Sequence, residues 1–220
     1  MFENKYSKLL TVLLIIGIIV IIAVFIFLTI MTIRNNQITI DQEEAVDRFQ
    51  SSVNGNDEEE QDENVTGEVA PTIGIDDPTT NNPNDNEMTY KGFKMVGTIE
   101  IPSTDLKCPV LAETTKASIE VAVAVYDGPG LNQVGNTTIV GHNYRNGTFF
   151  SNNKLIANGD KVYITDLSGK KITYTVYDTI ITSPEDSSYL DRDTQGKREI
   201  TLVTCTDDTK SRIVIYAVEE

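Results

Sequence analysis

The strongest pattern along the chain is a run of apolar residues, LLTVLLIIGIIVIIAVFIFLTIMTI (9–33), that contains no charge. At the helical rise it spans about 37 Å, enough to cross a hydrocarbon core of about 30 Å with some tilt. A cleaved secretion signal is the competing reading. Its apolar core is usually about 7–15 residues long and ends at a small-residue site. The TIMTI at 29–33 offers no such site, so the run reads as an uncleaved transmembrane anchor. Lys5 and Lys8 precede it, whereas the segment after Arg34 is acidic. This bias places 1–8 in the cytoplasm and everything beyond residue 34 outside the cell.

From residue 91 onward the pattern has a period of two. MVGTIEIP (95–102) alternates and stops at a proline. LKCPVLA (106–112) is a short apolar run interrupted by Pro109, which predicts an edge or bulged strand. GNTTIVGH (135–142) ends at a histidine, and KVYITD (161–166) is joined to KKITYTVYDTIIT (170–182) by Leu167-Ser168-Gly169, a hairpin signal. REITLVTCT (198–206) and SRIVIYAVEE (211–220) are so close in sequence that they should pair antiparallel. TTKASIEVAVAVYDGPG (114–130) is ambiguous. It alternates like a strand, but Thr114 or Thr115 can cap a helix that Gly128-Pro129-Gly130 would stop, and a short helix is the reading adopted. FFSNNKLI (149–156) predicts a helical turn. Seven or eight short strands with one or two short helices make a mainly β domain, closed or sandwiched.

Between anchor and domain, 34–90 lacks a periodic apolar pattern after Phe49. DEEEQDEN (57–64) is a charge run, and PTIGIDDPTTNNPNDNE (71–87) is rich in turn formers. Such a segment buries too little surface to offset chain entropy, so an acidic, disordered extracellular linker is expected, with a short helix near 40–50 as the one exception weighed. Charge fits this division. The chain's net charge of -15 is concentrated in 35–90, which carries -14, while 91–220 carries only -3. No basic stripe appears, so nucleic acid is not an expected partner.

The chemistry is in three side chains. The chain has two cysteines and one histidine. Cys108 lies within an apolar strand and reads as a small buried residue. Cys205 ends a strand, His142 ends another and Arg212 opens a third. A thiol is a strong nucleophile as thiolate, an imidazole can take up its proton, and an arginine can stabilise an oxyanion. Strand ends can converge on one rim of a barrel, so the three can meet despite the distance between them in sequence. A disulfide between the two cysteines is the minor alternative.

TLVTC (201–205) resembles the TLxTC signature of the sortases, membrane-anchored cysteine transpeptidases of Gram-positive bacteria. GTIEIPSTDLKCPVL (97–111), VGHNYRNGTFFSNNKL (140–155) and SRIVIYA (211–217) resemble the family's opening strands, histidine strand and arginine strand. The likeness covers 91–220. It implies an eight-stranded sortase-type β barrel preceded by a single transmembrane helix. It makes His142, Cys205 and Arg212 the catalytic residues and Thr204 a substrate-binding residue lining the pocket. It also implies cleavage of an LPXTG-like sorting signal between Thr and Gly through a thioacyl enzyme. The acyl group then passes to an amine such as a cell-wall precursor or a pilin lysine. G-H-N-x-x-x-G-x-x-F is class B-like, but the interval from His142 to Cys205 leaves little room for that class's helical insertion. Class B-like and class D-like features are combined, and the subclass stays open.

No cofactor is expected. Calcium stimulates some members, but Glu113, Glu120 and Asp127 are only loosely placed for it and read as solvated carboxylates. Two rival readings remain. One is a non-enzymatic β domain on a stalk. The other is a peptidoglycan-directed cysteine transpeptidase of the L,D type, whose S-x-G-C-x-R run this chain lacks.

Overall fold

A computed structural model of the chain describes residues 3–55 and 88–220. These fall into two compact units, Met1–Asp41 and Gln42–Glu220.

A single helix, α1, runs over Glu3–Gly55. Within the first unit it carries the uncharged run, and the side chains from Leu9 to Ile33 are all exposed. This stretch is long and apolar enough to cross a membrane. The hydroxyls of Thr29 and Thr32 donate to the carbonyls four residues back, so neither polar group is left unpaired in an apolar surround.

The second unit begins with the remainder of α1, which takes in the helix weighed near 40–50 and departs from the disordered linker expected around it. Gln42, Ala45, Val46 and Phe49 recur at helical spacing and are buried. Gln42 Nε2 donates to the Val121 carbonyl at 3.3 Å and Gln50 Nε2 to Glu100 Oε1 at 2.9 Å. Helix and packing therefore go together. Four aligned residues suffice to seat this face on the barrel, although the segment as a whole is acidic. The rest of the expected linker, 56–87, lies outside the described residues.

The barrel comprises β2 (Phe93–Ile101), β3 (Leu106–Leu111), β4 (Val123–Asp127), β5 (Gly135–Val140), β6 (Lys161–Asp166), β7 (Lys171–Thr182), β8 (Arg198–Cys205) and β9 (Arg212–Glu219). A two-residue strand, β1 (Thr89–Tyr90), pairs with the start of β2. The order around the barrel is β2-β3-β4-β5-β8-β9-β7-β6, and β6 closes on β2. The mainly β, eight-stranded barrel is thus the observed architecture. Its helical content is short, with 3-10 turns at Pro102–Thr104 and Asn153–Leu155.

Closure depends on a close approach at Gly97. A Cβ there would sit 2.2 Å from the Thr165 carbonyl oxygen and 2.6 Å from Leu131 Cδ1. The ladder bulge falls at this point on β2, between Met95 and Gly97, rather than on β3. β3 is a central strand, but it pairs with β4 only through Val110 and Leu111. Pro109, which has no N–H to donate, therefore lies outside the β3–β4 register.

The helix expected within 114–130 is replaced by a turn followed by β4. Thr115 and Ser118 cap each other's backbone N–H groups, at 2.7 and 3.0 Å, which starts a helical turn. Val121 and Ala122 then both bond back to the Ser118 carbonyl. The alternating Val123-Ala124-Val125 is taken up between β3 and β5. Pairing with two strands outweighs a local cap.

Candidate active site

β8 and β9 form an antiparallel ladder that ends in the pair Cys205↔Arg212. Directly opposed residues project from the same face of a sheet, so thiol and guanidinium emerge together. The turn between them, 206–211, is closed by Thr206 N–H to the Ser211 carbonyl at 3.0 Å. Beneath it, Tyr189 and Leu190 of the 183–197 connection pack on Val203, Val214 and Tyr216. This outer layer buries both faces of β8 and holds the two side chains on a firm base.

β5 lies parallel to β8 on its other side, with Ile139↔Leu202 and Val140↔Val203 in register. Gly141 N–H continues the ladder to the Val203 carbonyl at 3.2 Å. The next residue, His142, is thereby level with Cys205. Gly141 is required here for space. A Cβ would lie 2.7 Å from Val123 Cγ1 and 2.9 Å from Phe150 Cδ2. His142, Cys205 and Arg212 thus stand at one edge of three adjoining strands. His142 and Cys205 are half-buried, as is Arg212. None of the ion pairs among the described residues involves Arg212.

Thr204 has a different position from the other three. It is buried, and its hydroxyl donates to the Gly141 carbonyl at 2.8 Å. It lies behind the open face and links the residue before the thiol to the residue before the imidazole. Neither cysteine is in a disulfide, and Cys108 is fully buried. Burial pushes the Cys108 thiol up to about 12, so it stays protonated and inert.

Several residues to which the sequence gave no part in catalysis complete the site. Asn143 Nδ2 donates to the Cys205 carbonyl and to Asp207 Oδ1, both at 2.9 Å. Lys154 Nζ reaches Asp207 Oδ2 at 2.5 Å, and Arg145 Nη1 donates to the Asp207 carbonyl at 3.0 Å. Lys154 first and Asn143 second hold the Asp207 carboxyl below the usual carboxylate range. One aspartate thus ties the 143–154 segment to the short turn after the thiol. Glu120 approaches from the turn before β4, with Oε1 3.7 Å from His142 Nε2. The spacing of Asp207 from Cys205 gave a hint of its place. Glu120 gave none, because only the β4–β5 pairing brings the two segments together.

A sortase-domain family model matches residues 99–220. Sortase A of Bacillus anthracis is 30% identical over 125 residues, which cover 56% of this chain and 58% of that protein. Sortase A of Listeria monocytogenes is 29% identical over 132 residues, covering 60% of this chain and 58% of that protein. The chain thus spans less than two thirds of these curated relatives. Among solved structures, sortase A from Corynebacterium diphtheriae superposes with a TM-score of 0.53 at 28% identity, covering 58% of this chain and 61% of that one. A Clostridium perfringens sortase D5 transpeptidase gives a TM-score of 0.53 at 25% identity, covering 58% and 79%.

Proposed function

The chain belongs to the sortase family, and from that premise we propose that it is a cysteine transpeptidase held at the outer face of a membrane by α1. Its substrates are proteins bearing an LPXTG-like sorting signal. It joins them to an amine such as that of a cell-wall precursor. The observation that carries this reading is the Cys205↔Arg212 pair, with His142 level with it just beyond the end of the adjoining strand β5.

The proposed reaction starts when the Cys205 thiol gives its proton to His142. The thiolate adds to the threonine carbonyl carbon of the signal, and the oxyanion is held by the Arg212 guanidinium. The intermediate collapses, the Thr–Gly C–N bond breaks, and His142 returns the proton to the leaving glycine amine. A thioester remains on Cys205. An incoming amine attacks it, the C–S bond breaks, and a new amide and the free thiol result. Nucleophile, proton carrier and oxyanion donor are all side chains of this chain, and the proposal includes no metal. Thr204 is assigned no substrate contact in it. Its role is to hold the ends of β5 and β8 in step.

The L,D-type rival is disfavoured by the position of the arginine, which follows Cys205 across a strand turn rather than two residues on. The stalked, non-enzymatic rival is disfavoured by an accessible thiol beside a histidine and an arginine. The test is transpeptidation by the full-length protein in detergent, with an LPXTG-type peptide and an added amine. The joined product is expected from the parent and should be absent with Cys205→Ala. Full activity of that variant would remove Cys205 from the reaction.

A further inference from the structure

Glu120 is presented by a turn whose geometry is fixed on several sides. Thr115 and Ser118 cap each other, Ala122 N–H bonds to the Ser118 carbonyl at 3.2 Å, and Gln42 of α1 donates to the Val121 carbonyl. The two carboxylate oxygens have separate partners. Oε2 accepts the Tyr144 hydroxyl at 2.5 Å, and Oε1 lies 3.7 Å from His142 Nε2. The triangle is closed by the rings of His142 and Tyr144, whose centroids are 4.9 Å apart, and Tyr144 is itself flanked by Phe149 at 5.7 Å. Burial, and then the hydrogen bond to Glu120, push the Tyr144 hydroxyl well above its ordinary range. The phenol therefore remains a donor at any working pH. It fixes one oxygen of Glu120 and leaves the other to the imidazole.

We propose that Glu120, oriented by Tyr144, is a positioning residue that faces the Nε2 edge of the His142 ring and keeps the ring turned for proton exchange with Cys205. The inference deepens the transpeptidase reading and rests on it. With Nε2–H turned to a carboxylate, Nδ1 is the nitrogen left to exchange a proton. Arg212 lies across Cys205 on β9, and Asp207, in the β8–β9 turn, is committed to Lys154 and Asn143. Among the described residues, Glu120 is the carboxylate paired with the ring.

The side chains of His142 and Glu120 are 31% and 55% exposed, so the effect is that of a solvated pair, about two- to fivefold in rate. The chain has one histidine, so its ring-proton NMR signals need no assignment by mutation. In full-length protein in detergent at one fixed pH, those signals should shift in Glu120→Gln, because the ring loses the contact that orients it. Glu120→Asp should keep them closer to the parent, and Tyr144→Phe should move them in the same direction as Glu120→Gln. Alkylation of Cys205 by iodoacetamide should slow about two- to fivefold in Glu120→Gln. Ring signals and an alkylation rate that match the parent overturn the inference. Neither readout uses a peptide, so their outcome and a failure of transpeptidation are separate results. Altered signals and slowed alkylation in Glu120→Gln, with no peptide joining by the parent, sink the sortase reaction alone.

Discussion

Thr204 Oγ1 donates to the Gly141 carbonyl at 2.8 Å, which links the strand bearing the thiol to the strand bearing the imidazole immediately before both reactive residues. A carbonyl that loses its donor in a part-buried site carries some of the desolvation penalty, at most about 1–3 kcal/mol. Thr204→Val keeps the shape and removes the donor. The denaturation midpoint should fall with an unchanged slope. kcat should fall more than KM rises, because the variant disturbs alignment rather than substrate contact. A loss confined to KM would instead restore Thr204 to the substrate pocket.

Gly141 has no room for a side chain. The Cβ of Gly141→Ala would press on Val123 and Phe150, and overpacking of this kind costs about 1–3 kcal/mol. Because His142 follows directly, the variant should lose activity beyond its loss of stability. Thermal melting and turnover on the same preparation separate the two effects.

The packed part of α1 is expected to be integral to the second unit. Phe49 is fully buried, and truncation of a buried phenylalanine typically costs about 3–5 kcal/mol. Phe49→Ala in the full-length chain should therefore lower the melting temperature by several degrees, whereas Arg48→Ala, on the exposed face, should not. Equal melting of the two variants would mean that this helix contributes nothing to the barrel's stability.

Asp207 predicts an acid response. Its carboxyl is held below the usual range, chiefly by Lys154 and then by Asn143. A depressed folded value contributes stability above the unfolded value, near 3.9, and that contribution is lost as pH falls through the folded value. The tie should therefore be intact across neutral pH and fade only in strong acid. Asp207→Asn should flatten the acid limb of the melting curve below about pH 4 relative to the parent. An identical limb in both proteins would show that the tie is not linked to protonation.

Much of this architecture can be read from the sequence, and the exceptions have a common cause. The strands around Ile99, Ile164, Leu202 and Ile215 were legible because alternation reports a buried face directly. Cys205 and Arg212 were legible because a short connection forces their strands to pair. Three features were hidden. Val123–Asp127 looked helical because the Thr115–Ser118 cap is local, whereas its pairing with Val110 and Val140 is not. Val46 and Phe49 were masked by the acids around them, since their shared face exists only once a surface is there to receive it. Glu120 looked like a solvated carboxylate because its contact with His142 depends on a turn and a strand pairing that no spacing encodes.

The central claim is that Cys205, and not Cys108, carries the acyl group. The most direct test incubates the full-length protein with an LPXTG-type peptide in the absence of added amine, quenches with acid, and locates the adduct by peptide mass mapping. The expected result is an added mass equal to the acyl group ending at the signal's threonine (the truncated peptide less water), on the fragment containing Cys205, and none in Cys205→Ala. An adduct on Cys108, or cleavage that proceeds with no adduct on Cys205, would contradict it.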